Sequence, residues 1–281
     1  MEKIINPKLQ VLIAAYGREG LERIASCAHP QTEDVEYLVG WQIPGIDNPE
    51  SIINSFEAFH RPDFHILWHN TTGVARNRNF LLDNASAPLA LLSDDDVSYT
   101  SEQLKKVIAA FERYPKAGFI TLRYSADDPW QKKYPGNADF NLKCPPRFYY
   151  SGAIEMAFRL NVIRAAGIRF NEHFGFGKDE FLSGEDTVFM HSALRKGING
   201  MHVAEVICHH HGGPSTCNRE GNNARFIESK GAIVSWLHPL SWPLRMLTQV
   251  QRCSSMSKAT FIRAWLCGVW KAKKRRIWKG Y

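Results

Sequence analysis

Short apolar runs bounded by turn residues alternate along the chain with longer stretches of helical spacing, an order that predicts an α/β fold. Leu9 to Ala15, set between Pro7 and Gly17, suits a buried strand, and Glu36 to Trp41 and Phe64 to Trp68 read as a second and a third. After Gly73, the apolar positions of Val74 to Asn84 line one face of a short helix that Thr71 or Thr72 can cap. Leu89 to Leu92 then forms an apolar strand that runs directly into Ser93-Asp94-Asp95-Asp96. Three acids therefore fall at a strand's carboxyl end.

Thr100 and Gln103 make a capping box ahead of Leu104, Val107, Ile108 and Phe111, whose spacing predicts an amphipathic helix that Pro115 stops. Gly118 to Leu122 is the next strand. The stretch Asp127 to Pro146 reads as an irregular loop, too long for a mere connection and suited to a lid or to acceptor contact. A strand at Ala153 to Phe158, a short helix capped at Asn161, and a helix from Ser183-Gly184-Glu185-Asp186 to Lys196 follow, with Gly197 as its stop. A strand at Val203 to Cys208 leads into His209-His210-His211. Such βαβ-like alternation implies a largely parallel sheet flanked by helices, and sheets of that kind bind ligands beyond their carboxyl edge.

Composition changes little for the body and much for the tail. At 281 residues, 44% hydrophobic and 22% charged, the chain has the makeup of an ordinary globular protein, without low-complexity tracts or repeats. The net charge of +7 is unevenly spread: no acid follows Glu228, and residues 229 to 281 carry eleven Lys and Arg, which leaves residues 1 to 228 with a net of about −4. We therefore expect a catalytic domain at 1–230 and a basic, Trp-rich helical segment at 231–281. From Ser257, residues Ile262, Trp265, Leu266, Val269 and Trp270 take helical spacing, followed by Lys271, Lys273, Lys274, Arg275, Arg276 and Trp278. That pattern fits a helix lying on an anionic membrane surface, and equally a helix packed on the body with a solvated basic end. The acidic body argues against nucleic acid as a partner. Six cysteines without a CxxC pair point to free thiols in a reducing compartment, and the N-terminus lacks a secretory pattern, so a cytoplasmic location is expected, peripheral at most on the inner membrane face. No stretch approaches 18 uninterrupted apolar residues.

The chemistry concentrates at a few places. Asp94-Asp95-Asp96 is a hard-oxygen cluster suited to Mg²⁺ or Mn²⁺ and, through the cation, to phosphates; a solvated polar turn is the competing reading. In an extended segment Asp94 and Asp96 share a face and Asp95 points away. Glu185-Asp186 at a helix start suits a general base or a simple N-terminal charge cap. Alternation along a strand puts His209 and His211 on one side, as metal ligands or phosphate donors, and a zinc site with Cys208 or Cys217 is the minor alternative. Arg76 and Arg78, just inside a helix start, are placed to meet a pyrophosphate or to form an exposed basic face.

In order, Ala14-Ala15-Tyr16-Gly17-Arg18, Gly73-Val74-Ala75-Arg76-Asn77, Leu92-Ser93-Asp94-Asp95-Asp96, Phe170-Asn171-Glu172-His173-Phe174-Gly175 with Gly184-Glu185-Asp186, and the histidine cluster with Ser215 resemble the family 2 glycosyltransferases over roughly residues 8 to 216. The resemblance implies a GT-A, Rossmann-like fold, a nucleotide-diphosphate sugar donor and inversion at the anomeric carbon. It implies Asp96 as the metal ligand of the DxD motif, Asp94 as a ribose or metal contact, His209 and His211 as further metal contacts, and Asp186 as the base, with Glu185 as fallback. Ala15, Tyr16, Arg18, Arg76 and Asp95 fall to the donor by the same likeness. Where many members carry an acidic turn after the second strand, this chain has Val39 to Gly45; Gln42 or Asp47 is then the candidate contact to the base, and UDP the expected nucleotide. A basic aromatic tail suits enzymes of this kind that act on glycan or lipid-linked acceptors in bacterial surface polysaccharide assembly. A metal-dependent phosphohydrolase and a non-catalytic nucleotide- or membrane-binding module remain as alternatives.

Overall fold

The computed structural model describes residues 7–45, 47–127, 131–147, 149–177, 180–211, 223–253 and 255–281. Ser215, Cys217 and the first six residues lie outside them. Backbone contacts divide the chain into two compact units. The first holds the residues up to Thr72, Arg76–Arg169 and the segment from Ala193; the second holds Gly73–Ala75, Phe170–Ser192 and the C-terminal helices.

The first unit is built on a nine-stranded sheet. Its strands are β1 (Leu9–Tyr16), β2 (Val35–Gln42), β3 (Phe64–His69), β4 (Leu89–Asp94), β5 (Val97–Ser98), β6 (Phe119–Ala126), β7 (Phe140–Asn141), β8 (Met156–Arg159) and β9 (Gly200–His210). The order is β3-β2-β1-β4-β8-β6-β9-β5, with β7 beside β9. Pairs β1–β2, β1–β4, β2–β3 and β6–β9 are parallel, and β8 runs against both β4 and β6, so six of the nine strands point one way. The central strands β1, β2 and β4 are almost continuously buried, as strands covered on both faces must be. The helices of this unit are α1 (Gly17–Ser26), α2 (Pro49–Asn54), α4 (Ser101–Arg113) and α5 (Leu160–Ala165). Two more, α3 (Val74–Asn84) and α6 (Glu185–Arg195), have residues in both units.

The capping box at Thr100 and Gln103 is formed in both directions, and α4 buries Leu104, Val107 and Phe111. Two local expectations need correction. The strand expected from Ala153 starts as a 3-10 turn, Ala153–Glu155, because the Glu155 carboxylate accepts from the Gly152 N–H at 2.6 Å and closes that turn. The residue flanking α5 is Arg159 rather than Asn161, whose side chain only accepts from Val162 N–H next to it.

Two buried histidines make this unit acid-sensitive. Arg123 Nε points its N–H at His202 Nε2 (3.4 Å), so that nitrogen must accept, and burial followed by the charges of Arg123 and Lys132 pushes His202 down to about 4. Burial against Tyr37 and Phe64, opposed in part by the Cys27 carbonyl, takes His29 to about 4 as well. Each folded-state value lies below the ordinary 6.5, so each contribution is complete above that pH and is lost as pH falls through about 4, with a ceiling of roughly 3 kcal/mol apiece. Asp95, raised to about 6, acts in the opposite sense, so the histidines are isolated by substitution. Urea unfolding at pH 7.5 and pH 5 should show a stability loss that the H29Q/H202Q double variant largely removes; an equal loss in the variant would refute the assignment.

The second unit contains α7 (Ala224–Leu237), α8 (Trp242–Arg252) and α9 (Lys258–Lys274). Helices α7 and α9 cross at two glycines: a Cβ on Gly231 would lie 2.3 Å from Trp265 O, and one on Gly268 would lie 1.9 Å from Glu228 O. Only glycine permits backbones to approach so closely. Of the apolar positions expected on the tail helix, Trp265 and Val269 are buried and Ile262 partly so, while Leu266 and Trp270 face solvent; the buried side also takes in Phe261. Beyond α9, Trp278 stacks on Trp236 and Phe174, Asn171 donates to Ile277 O at 2.9 Å, and Arg275 pairs with Glu180. Among the described residues no helix is long and apolar enough to cross a membrane.

Candidate active site

In the first unit the chain runs β1, β2, β3 outward and then returns to place β4 on the other side of β1, so the strand order reverses between β1 and β4. Open α/β sheets bind ligands at the carboxyl edge of such a reversal. Tyr16 and Asp94 end these two strands, and Gln42 and His69 end the next two. Tyr16 is exposed, whereas Ala15 before it is buried.

Each aspartate of the triplet has its own partner. Asp94 accepts from Arg78 at 2.8 Å, a guanidinium nearly withdrawn from solvent. Asp95 receives two bonds from Arg23, at 3.0 and 2.7 Å, a bidentate pair that anchors the turn to α1. Burial nonetheless lifts Asp95 to about 6. Gly20, one turn before Arg23, gives Asp95 its room, since a Cβ there would lie 3.1 Å from Oδ2. Asp96 Oδ2 is 3.4 Å from His210 Nε2, and Asp96 O accepts from His211 N–H at 3.0 Å. Burial raises Asp96, but the His210 hydrogen bond and charge outweigh it and hold the carboxyl below its ordinary value. Its Oδ1 is buried and has no hydrogen-bond partner among the described residues.

The strand-end alternation of the histidines is visible, with a different outcome for each face. The rings of His209 and His211 lie 4.7 Å apart on one side, where His209 Nδ1 meets Ser125 Oγ (3.0 Å) and His211 Nε2 meets Ser98 Oγ (2.6 Å). His210, on the other side, is the histidine beside Asp96. No His, Cys, Asp and Glu cluster of three or more stands ready to hold a metal among the described residues. A cation of the Mg²⁺ or Mn²⁺ kind still fits, because such ions take one or two carboxylates and complete their shell with water and phosphate oxygens. Asp96 Oδ1 is the buried carboxylate oxygen of the triplet without a hydrogen-bond partner among the described residues.

The remaining expected donor contacts lie on separate elements. Arg18 pairs with Glu22 along α1, Arg76 is half-buried on α3, and Gln42 is buried and donates to Thr71 O at 2.9 Å. Glu185 and Asp186 begin α6 in the second unit, half-buried, with Asp186 accepting from Thr187 N–H at 2.6 Å. Gly184 before them has φ +99°, and a Cβ there would lie 2.1 Å from Ile233 Cδ1, so only glycine opens that helix.

Pattern reading passed over Arg23 and gave Asn77 and His210 no role beyond their place in a motif. Asn77 donates to Ala15 O (3.2 Å) and Gly40 O (2.7 Å) and accepts from His69 Nε2 (3.1 Å), tying the ends of β1, β2 and β3 to α3. Gly40 is needed there, because a Cβ would lie 2.4 Å from Asn77 Oδ1. Trp41 Nε1 donates to Gly17 O at 2.8 Å and fixes the turn from β1 into α1, where Gly17 takes φ +61°. The signal available was an asparagine four residues after Gly73. Its partners are non-local and carry no local sequence mark.

The profile of Glycosyl transferase family 2 matches residues 13–176. Among solved structures, S. aureus TarS residues 1–349 in complex with UDP-GlcNAc is 14% identical with a TM-score of 0.58, over 95% of this chain and 73% of that one. The same TarS fragment in complex with UDP is 17% identical with a TM-score of 0.54, over 92% and 80%. The mannosyltransferase PcManGT from Pyrobaculum calidifontis, in complex with GDP-Man and Mn²⁺, is 14% identical with a TM-score of 0.53, over 98% and 77%. At these identities the likeness is one of fold. No curated protein sequence matches the chain.

Proposed function

Because the chain belongs to glycosyl transferase family 2, whose profile covers more than half of it, we propose that it is an inverting, metal-dependent enzyme that moves a sugar from a nucleotide diphosphate to an acceptor hydroxyl. Its fold is the GT-A arrangement of the glycosyltransferases it resembles. The observation that carries the reading is the buried, unpartnered Asp96 Oδ1 in a turn at the carboxyl end of β4, beside the strand-order reversal.

In this reading Asp96, with Asp94, holds Mn²⁺ or Mg²⁺, which when bound supplies positive charge to the diphosphate leaving group. Arg78 and Arg23 fix Asp94 and Asp95 in direction, and His210 meets one oxygen of Asp96 and holds that carboxyl below its ordinary value. Tyr16, at the open end of β1, is offered to the nucleotide. Arg76 adds cationic character at the start of α3. Asp186, with Glu185 as second candidate, removes the proton from the acceptor hydroxyl as the new glycosidic bond forms. A UDP-sugar is the donor class to test first, and a glycan or lipid-linked hydroxyl of surface polysaccharide assembly the acceptor class, with the basic segment 231–281 bringing the enzyme to an anionic membrane face.

The test is to follow nucleotide release from a panel of nucleotide sugars. Release of nucleoside diphosphate that needs both the divalent cation and an acceptor supports transfer. Metal-dependent liberation of phosphate from generic phosphate esters, with no need for acceptor, would replace it with a phosphohydrolase.

A further inference from the structure

We propose that α8 and the turn before it form a membrane-insertion face, which seats this enzyme on bilayers containing anionic lipid through Leu240, Leu244 and Leu247. An amphipathic helix on a soluble protein puts its apolar residues inward and its polar ones outward. The inward side of α8 is satisfied: Met246 and Val250 are buried in one cluster with Phe261, Trp265 and Val269. Its outward side carries large apolar side chains among the polar Arg245, Thr248, Gln251 and Arg252. Leu240 is 96% exposed, Leu244 68% and Leu247 49%, at spacings i, i+4 and i+7 that align them along one stripe. Two of them protrude too far for a partly covered core position, and Leu240 sits in the turn directly before the helix, where insertion requires no rearrangement of α8.

The charge beside the stripe selects the partner. Arg245 and Arg252, both exposed, lie seven residues apart and so share one side of the helix, next to the leucines, and α8 carries no acid. No acidic residue occurs after Glu228, while Lys258, Arg263, Lys273 and Lys274 are exposed on the next helix. Apolar side chains on helices rich in cations, with no acid after Glu228, match a bilayer interface with negative headgroups, in which leucines enter the acyl boundary and guanidiniums stay among phosphates. The sequence pattern pointed to α9 for this role, but that helix buries Trp265 and Val269 of its stripe and leaves only Leu266 and Trp270 of it exposed. The inference refines the membrane association of segment 231–281 and is independent of the donor, the acceptor and the chemistry of transfer.

Sedimentation of the full chain with vesicles tests it without any nucleotide sugar, so its failure is separable from that of the transferase reading. Binding is expected to vesicles of phosphatidylcholine mixed with phosphatidylglycerol, and to be weak on phosphatidylcholine alone. The L240S/L244S/L247S variant should lose at least about tenfold in partitioning, R245Q/R252Q should lose the preference for the anionic mixture, and L244W should bind more tightly. Unchanged binding by the leucine-to-serine and L244W variants, or equal wild-type binding to both vesicle types, would overturn the proposal. So would a concentration-dependent dimer, seen by sedimentation velocity without lipid, that the leucine-to-serine variant converts to monomer, because a second copy would then be the occupant.

Discussion

Replacing Lys132 by Met should lower the stability of the first unit by about 3–5 kcal/mol, the range for removing one member of a buried ion pair. Lys132 Nζ lies 2.8 and 2.7 Å from the two oxygens of Glu155 and 2.7 Å from Tyr150 O, and both side chains are almost fully buried. Tyr134 OH and Gly152 N–H also donate to that carboxylate. Without the ammonium, the carboxylate would be left ionised in a low-dielectric setting with only two neutral donors. Burial already raises Glu155 against the pull of Lys132. In K132M the folded-state value rises further above the unfolded one, so stability is retained at low pH and lost as pH rises through that value. Urea unfolding should therefore show a larger deficit at pH 8 than at pH 5. The K132M/E155L double variant, which removes both charges, should recover much of the loss. A K132M deficit below about 1 kcal/mol at pH 8 would mean that water reaches Glu155 and that the pair is not the fastener of the loop between β6 and β8.

That pair shows where pattern reading ends. The loop around it announced itself by length and polarity, but nothing local says that Lys132 and Glu155, with Arg123, Tyr134 and His202 nearby, make one buried polar core. The strands β1, β2 and β4 were legible because a strand buried on both faces is a short apolar run with turn residues at each end, α3 because its apolar spacing is local, and α4 because its spacing and its cap are. Helix α1 escaped notice: its buried residues are Gly20, Leu21 and Ile24, too few apolar positions to stand out beside Gly17.

The site was legible to the same depth. An acidic triplet after an apolar strand can be found by eye, and so can a helix that opens on Glu185-Asp186. The identity of the groups that aim the triplet could not be, because Arg23, Arg78 and His210 come from three elements and meet it only through the sheet order. Pleating explains the histidines: neighbours on a strand face opposite ways, so one of three adjacent residues was bound to differ from the other two, and pairing of Val97 with His210 decided which. The tail helix was legible as amphipathic, yet its reciprocal glycines Gly231 and Gly268, which decide what the stripe packs on, read as helix-weakening residues until their partners are seen.

Asp96 and Asp186 should fail in different ways when changed. Asp96 is confined by His210 on one oxygen and keeps the other unpartnered, so D96N removes a negative charge from the point where a cation is expected while preserving shape. Metal-supported donor binding, measured by calorimetry with a nucleotide sugar and Mn²⁺, should weaken by about 10- to 100-fold, with turnover falling at least as far. D186N keeps the side-chain oxygen that caps Thr187 N–H and loses only the basic carboxylate. Donor affinity should stay within about threefold, while turnover at saturating donor falls by about 10² to 10⁴, the usual contribution of a positioned base. A pH–rate profile sharpens the contrast, because the acidic limb, on which the rate rises as the base loses its proton, should vanish in D186N and persist in D96N. Equal loss of donor binding in both variants would refute the division of roles, and an active D186N would move the base to Glu185, for which E185Q is the matching test.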